Sequence, residues 1–186
     1  MNVAKTQFED GWDLLKHVVE LSDLSDFVEI TEDYGVFDDG VGWRWHFDRD
    51  KNLTLLAIIR IYNSTKTNEE AIRQLILDNL ELFNDAEILE AFYGFGDNAT
   101  WHFGGVYDHF YYFIDDYYPQ LREQQIERIV EKMSFENFTK WLKKNYKDLR
   151  DLMYAIINGD RDMYEILEEW FEDLIDKELN VYPLNE

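Results

Sequence analysis

The sequence predicts an α+β fold: an N-terminal helix with a small antiparallel sheet of about three to four strands, then a helical C-terminal lobe. Three observations carry that prediction. Apolar residues recur at helical spacing near the N-terminus and again from residue 119 onward, whereas between them the apolar pattern switches to a period of two around Trp43, Trp45 and Phe47. Of the 186 residues, 46% are hydrophobic and 17% aromatic, enough apolar surface to offset the entropy of ordering the chain. The length fits a single domain over 1–186, with sub-lobes expected at 1–118 (α+β) and 119–186 (all helical).

Thr6-Gln7-Phe8-Glu9 has the form of a capping box, and Phe8, Trp12, Leu15 and Val19 keep helical spacing, so a helix is expected over 7–21. Residues 26–30 alternate as a short strand. Gly35, Gly40 and Gly42 then interrupt regular structure around the acidic pair Asp38-Asp39, and residues 43–47 read as a half-buried strand. Asp48-Arg49-Asp50-Lys51-Asn52 is a turn cluster leading into the β-branched run 53–62, which reads as a central strand hairpinned to the previous one.

Thr67-Asn68-Glu69-Glu70 repeats the capping-box form and opens a helix carrying Ile72, Leu75, Ile76, Leu80 and Phe83. A short helical or extended piece is expected over 87–93. The aromatic stretch 100–118 is read as containing another strand, over 106–114. Pro119 suits the first position of a helix over 119–133, Ser134 the cap of the next, Asn158-Gly159 a stop, and Asp160 the cap of a last helix reaching about residue 179.

Charge is the feature that bears on function. The chain has 40 acids against 18 bases, a formal net charge of -22. Self-repulsion at that level opposes compaction, so it calls for a use. The surplus is uneven: residues 1–50 and 151–186 each carry net -9, residues 51–100 carry -4, and residues 101–150, with Lys140, Lys143, Lys144 and Lys147, are neutral. The last helix is the sharpest element. Asp162, Glu165, Glu168, Glu169, Glu172, Asp173 and Asp176 fall on one side of it, with Ile166, Leu167, Trp170, Phe171, Leu174 and Ile175 on the other. Those acids span about 21 Å at roughly 1.5 Å per residue. That is about one charge per 3.5 Å along the axis, close to the roughly 3.4 Å phosphate repeat of a DNA strand. Only Arg161 and Lys177 flank them in sequence.

Several chemistries lack their residues. Zero cysteines exclude disulfides, thiolate metal sites and a cysteine nucleophile. Gly94-Phe95-Gly96 and Gly104-Gly105 lack the lysine and spacing of a phosphate loop. Asp48 to Asn52 mimics half a calcium loop and fails at Leu53 and Ile59. Of the histidines His17, His46, His102 and His109, the last two flank Asp108, so a small hydrolase using His102, Asp108 and His109 is the one enzymatic alternative. No cofactor, metal or catalytic residue is otherwise assigned. The absence of an apolar signal segment or of a run of about 20 apolar residues sets the expectation of a cytoplasmic protein.

In size and bulk charge the chain resembles the acidic DNA-mimic proteins that phages and mobile elements deploy against restriction or CRISPR nucleases. What the likeness implies is a non-enzymatic anti-defence inhibitor whose carboxylates fill the basic nucleic-acid channel of a partner, without itself binding nucleic acid or membrane. The partner-binding candidates are the seven acids of the last helix, with Asp38 and Asp39. The alternative with the same electrostatics is an immunity protein or antitoxin that neutralises a basic nuclease toxin; a homodimer is compatible with either.

Overall fold

A computed structural model describes residues 8–38, 44–95 and 104–184 and has the expected α+β architecture. The chain divides into two compact units, Met1–Ala91 and Phe92–Glu186.

In the first unit, helix α1 (Gly11–Leu21) opens behind Asp10, whose carboxylate accepts the Asp13 N–H at 3.0 Å. Burial alone would raise the Asp10 pKa, but the Asp13 amide and the Arg49 guanidinium outweigh it and hold the group below the ordinary carboxylate value. The capping box expected at Thr6-Gln7 lies outside the described residues. Strands β1 (Val28–Ile30), β2 (Tyr34–Asp38) and β3 (Arg44–Asp48) form an antiparallel sheet in the order β1-β2-β3. Its register sets Val28 opposite Phe37 and Asp38 opposite Arg44. Gly35, expected to break structure, is inside β2: a side chain there would collide with the Phe47 ring on β3 and come within 2.9 Å of Ile30. The Trp12 indole N–H donates to the Thr31 carbonyl at 2.9 Å, which ties α1 to the sheet.

The run 53–62 is not a strand. It forms helix α2 (Thr54–Ser64), and Thr54 through Ile61 are all buried. A helix buried on every side shows no polar face, so its periodicity is indistinguishable from that of a central strand. The hairpin therefore runs between β2 and β3, and α2 packs on α1 instead. Helix α3 (Glu69–Asp78) starts without the expected capping box. Asn68 sits in the left-handed region at φ 54° and its amide donates to the Leu21 carbonyl at 2.7 Å. A 3-10 turn (Leu80–Leu82) leads into helix α4 (Asp85–Phe95).

The second unit is helical. Residues 106–114, expected as a strand, belong to helix α5 (Gly104–Tyr117), with Phe110, Phe113 and Ile114 buried at i, i+3, i+4 spacing. Helix α6 (Glu123–Glu131) begins later than Pro119: a turn comes first, closed by Leu121 N–H to the Tyr118 carbonyl at 3.1 Å, and the Gln125 side-chain oxygen accepts the Arg122 N–H at 2.9 Å at the helix start. Ser134 caps helix α7 (Phe135–Asn145) as expected, and Asp148 caps helix α8 (Leu149–Ile157). Gly159, at φ +84°, provides the left-handed residue that ends α8. The cap of helix α9 (Met163–Val181) is Asp162, not Asp160: its carboxylate accepts the Tyr164 N–H at 2.8 Å, whereas Asp160 is still bonded back to Ala155 through its own N–H.

An ion pair fastens α9 to α6. Glu178, 1% exposed, accepts from Arg128 Nε at 2.5 Å, and the same guanidinium lies 3.9 Å from the Tyr182 ring centre. Removing one partner of a buried pair strands a charge, which costs about 3–5 kcal/mol when both are buried. Arg128 is 33% exposed, so Arg128→Met is expected to lower unfolding stability by roughly 2–4 kcal/mol in urea titrations, with Glu178→Met in the same chain recovering much of that loss.

Candidate acidic interface

Helix α9 presents its acids because its other side is fixed. Met163, Ile166, Leu167, Trp170, Phe171, Leu174 and Ile175 are all buried, so rotation of the helix about its axis is blocked. At about 100° per residue the seven acids occupy an arc of roughly 140° on the opposite side.

They are not equivalent. Asp162 is engaged in the cap. Glu168 lies 3.3 Å from His109 Nε2, Glu169 accepts from Arg161 Nη2 at 2.9 Å and from the Tyr146 hydroxyl, and Asp173 meets Lys177 Nζ at 2.7 Å. The two bases flanking the stripe thus pair with it, and it is less uncompensated than its sequence implies. Hydrogen bonding to Tyr146, then Glu169 and Glu165, raises the Arg161 pKa, while burial, reinforced by Glu169, raises that of the Tyr146 hydroxyl. Glu165, Glu172 and Asp176 are exposed and form no ion pair among the described residues. They fall within roughly 40° of arc and span about 16 Å.

A neighbouring helix extends the surface. His109 and Phe113 of α5, and Tyr118 just past its end, meet successive positions of α9: His109 is 4.8 Å from Tyr164, Phe113 is 5.7 Å from Phe171, and Glu172 and Asp176, after burial itself, raise the Tyr118 pKa. The two helices therefore run parallel and in contact. With Phe110, Phe113 and Ile114 turned inward, α5 exposes Asp108, Tyr111, Tyr112, Asp115 and Asp116, Tyr112 being 71% exposed. These five were missed as interface residues. The helical spacing of Phe110, Phe113 and Ile114 was the signal that would have separated the two faces.

Asp38 is half-buried at the end of β2, in the first unit, and its N–H donates to the Phe27 carbonyl at 2.9 Å. Asp39 lies outside the described residues, as does His102. The hydrolase alternative keeps only Asp108 and His109, which are adjacent on one helix and so point about 100° apart. His109 turns toward Glu168 and the rings of Tyr164 and Phe171, while Asp108 faces outward. Among the described residues no group of three or more His, Cys, Asp or Glu side chains is placed to hold a metal ion, and no helix is long and apolar enough to cross a membrane. Elsewhere, Glu87 and Glu90 of α4 have raised pKa values, chiefly from burial, with Asp10 adding to the effect on Glu87.

Comparison with protein-family models, with curated proteins and with solved structures finds no match. What stands out in this α+β protein is an acidic face on α9 with exposed acids and tyrosines on the parallel helix α5 beside it.

Proposed function

We propose that the protein inhibits a basic, nucleic-acid-handling partner, in the first instance a nuclease, by occupying the channel that the nucleic acid would enter. The observation that supports this reading is the exposed line Glu165, Glu172 and Asp176 on a helix whose opposite face is fully buried. Carboxylates held on a rigid element meet Arg and Lys side chains without a large ordering cost, and the field of a -22 molecule steers the encounter. Tyr111 and Tyr112 add apolar contact area with little rotamer entropy to lose, a property of protein interfaces that charge repulsion alone does not explain. The action is one of binding, without a catalytic step, in the cytoplasm. Anti-defence and immunity roles differ here only in which nuclease is met.

The test immobilises the protein, passes nuclease-containing lysate over it, and elutes with duplex DNA. A basic nuclease displaced by DNA is the expected result, with affinity falling at least tenfold between about 50 and 500 mM salt as the Debye length shortens. Retention that is flat in salt, or a ternary complex holding DNA and this protein together, would remove channel occupation.

A further inference from the structure

The neutral middle of the chain builds something that the acidic face does not explain. Residues 137, 140, 141 and 144 of α7 and residues 170, 173, 174 and 177 of α9 share i, i+3, i+4, i+7 spacing, and together with the end of α6 they line a cavity of about 270 Å³. Its apolar wall is Trp141, Trp170 and Leu174. Lys132, Lys140, Lys144 and Lys177 surround it against a single acid, Asp173. Of the four lysines, Lys177 is paired with Asp173 at 2.7 Å and Lys140 with Glu136 at 2.8 Å, while Lys132 and Lys144 form no ion pair among the described residues.

We propose that this cavity binds a small aromatic phosphate, its ring against Trp141 and Leu174 and its charge met by the surrounding lysines, of which Lys132 and Lys144 have no carboxylate partner among the described residues. The volume suits one ring system and one charged group, at the lower edge of the roughly 300–1,000 Å³ of typical ligand sites. Apolar walls rimmed by several cations match a ligand of that kind, since the ring replaces water against indole and the lysines supply the charge partners. A polymer is disfavoured: repulsion from a -22 protein grows with every phosphate, whereas a mononucleotide brings at most two charges into a locally cationic place. The proposal is independent of the partner-binding reading and uses none of its residues Glu165, Glu172 and Asp176.

The test is calorimetric titration with AMP, alongside adenosine, which lacks the charge, and inorganic phosphate, which lacks the ring. Saturable AMP binding, at least tenfold tighter than either fragment, is expected, with the Trp141 indole resonance shifting in NMR spectra. Lys132→Gln with Lys144→Gln should weaken AMP at least tenfold. Both side chains are exposed, so the fold should be kept, and circular dichroism checks it. Lys147→Gln, whose lysine does not line the cavity, should change nothing. No saturable binding up to about 10 mM, AMP binding no tighter than inorganic phosphate, or AMP binding indifferent to the double substitution would each overturn the proposal.

Discussion

Trp170→Ala is expected to lower the unfolding free energy by about 3–5 kcal/mol, the cost of deleting a large buried aromatic side chain and leaving a cavity. Trp170 is 2% exposed, lies 5.0 Å ring to ring from Phe138 of α7, and sits midway along the buried face of α9. The loss should appear as a shift of the urea midpoint, and as a fall of roughly 6–20 °C in melting temperature at about 2–4 °C per kcal/mol for a chain of this size. Trp170→Phe, which keeps an aromatic side chain in the gap, should lose distinctly less. Because total stabilities are about 5–15 kcal/mol, the alanine variant should lose partner binding only as far as it loses its fold. A binding defect in Trp170→Ala that is larger than its unfolded fraction would mean that the apolar side of α9, and not its acidic side, is the contact surface.

The fold class was legible because it rests on long-range alternation of element types, whereas individual elements failed where burial erased the pattern. Residues 54–61 of α2 place Leu55, Leu56, Ile58, Ile59 and Ile61 in buried surroundings on all sides, and nothing in such a run distinguishes 3.6 from 2 residues per turn. The stretch at 106–114 failed differently. Its tyrosines count as apolar in a binary reading, yet Tyr111 and Tyr112 lie outside while Phe110 and Phe113 lie inside, so treating Tyr as amphipathic restores the helical period. Caps went astray by two residues at Asp162 for Asp160, and the first helix is capped at Asp10, four residues beyond Thr6, because short polar side chains recur closely in an acidic chain and each can cap.

The acidic face of α9 was legible in full as a list of residues, because amphipathic spacing fixes which side each residue takes. Which of its carboxylates are available for a partner was not legible. Tyr146 and Arg161 reach Glu169 from 23 and 8 residues away in sequence, and His109 reaches Glu168 from another helix. Such contacts follow from tertiary packing, and i,i+4 reasoning along one helix finds only the Asp173–Lys177 pair.

The reversal Glu165→Lys, Glu172→Lys and Asp176→Lys is expected to weaken partner binding by about a hundredfold or more while leaving the fold intact. The three positions are chosen because they are exposed and lack ion pairs among the described residues, whereas Glu169 holds Arg161 and Tyr146, so its reversal would confound structure with binding. Stability should hold or rise slightly: Glu165 repels Glu169 and Glu172 repels Glu168 at i,i+4, and each of these pairs becomes an attraction on exchange, while Glu172 and Asp176 trade one like-charge pair for another. Binding responds in the opposite sense, because every exchange turns an attraction for a cationic channel into a repulsion, and the association rate falls as the local field weakens. Measuring association and dissociation separately sharpens the result. A loss confined to the association rate would mean that the stripe steers the encounter from the rim, and a loss that includes faster dissociation would place these carboxylates in the contact itself. If the triple variant folds like the parent and binds as tightly with unchanged rates, Glu165, Glu172 and Asp176 are a solvated helix face, and the exposed Asp108, Tyr112 and Asp116 of α5 become the positions to reverse or truncate next.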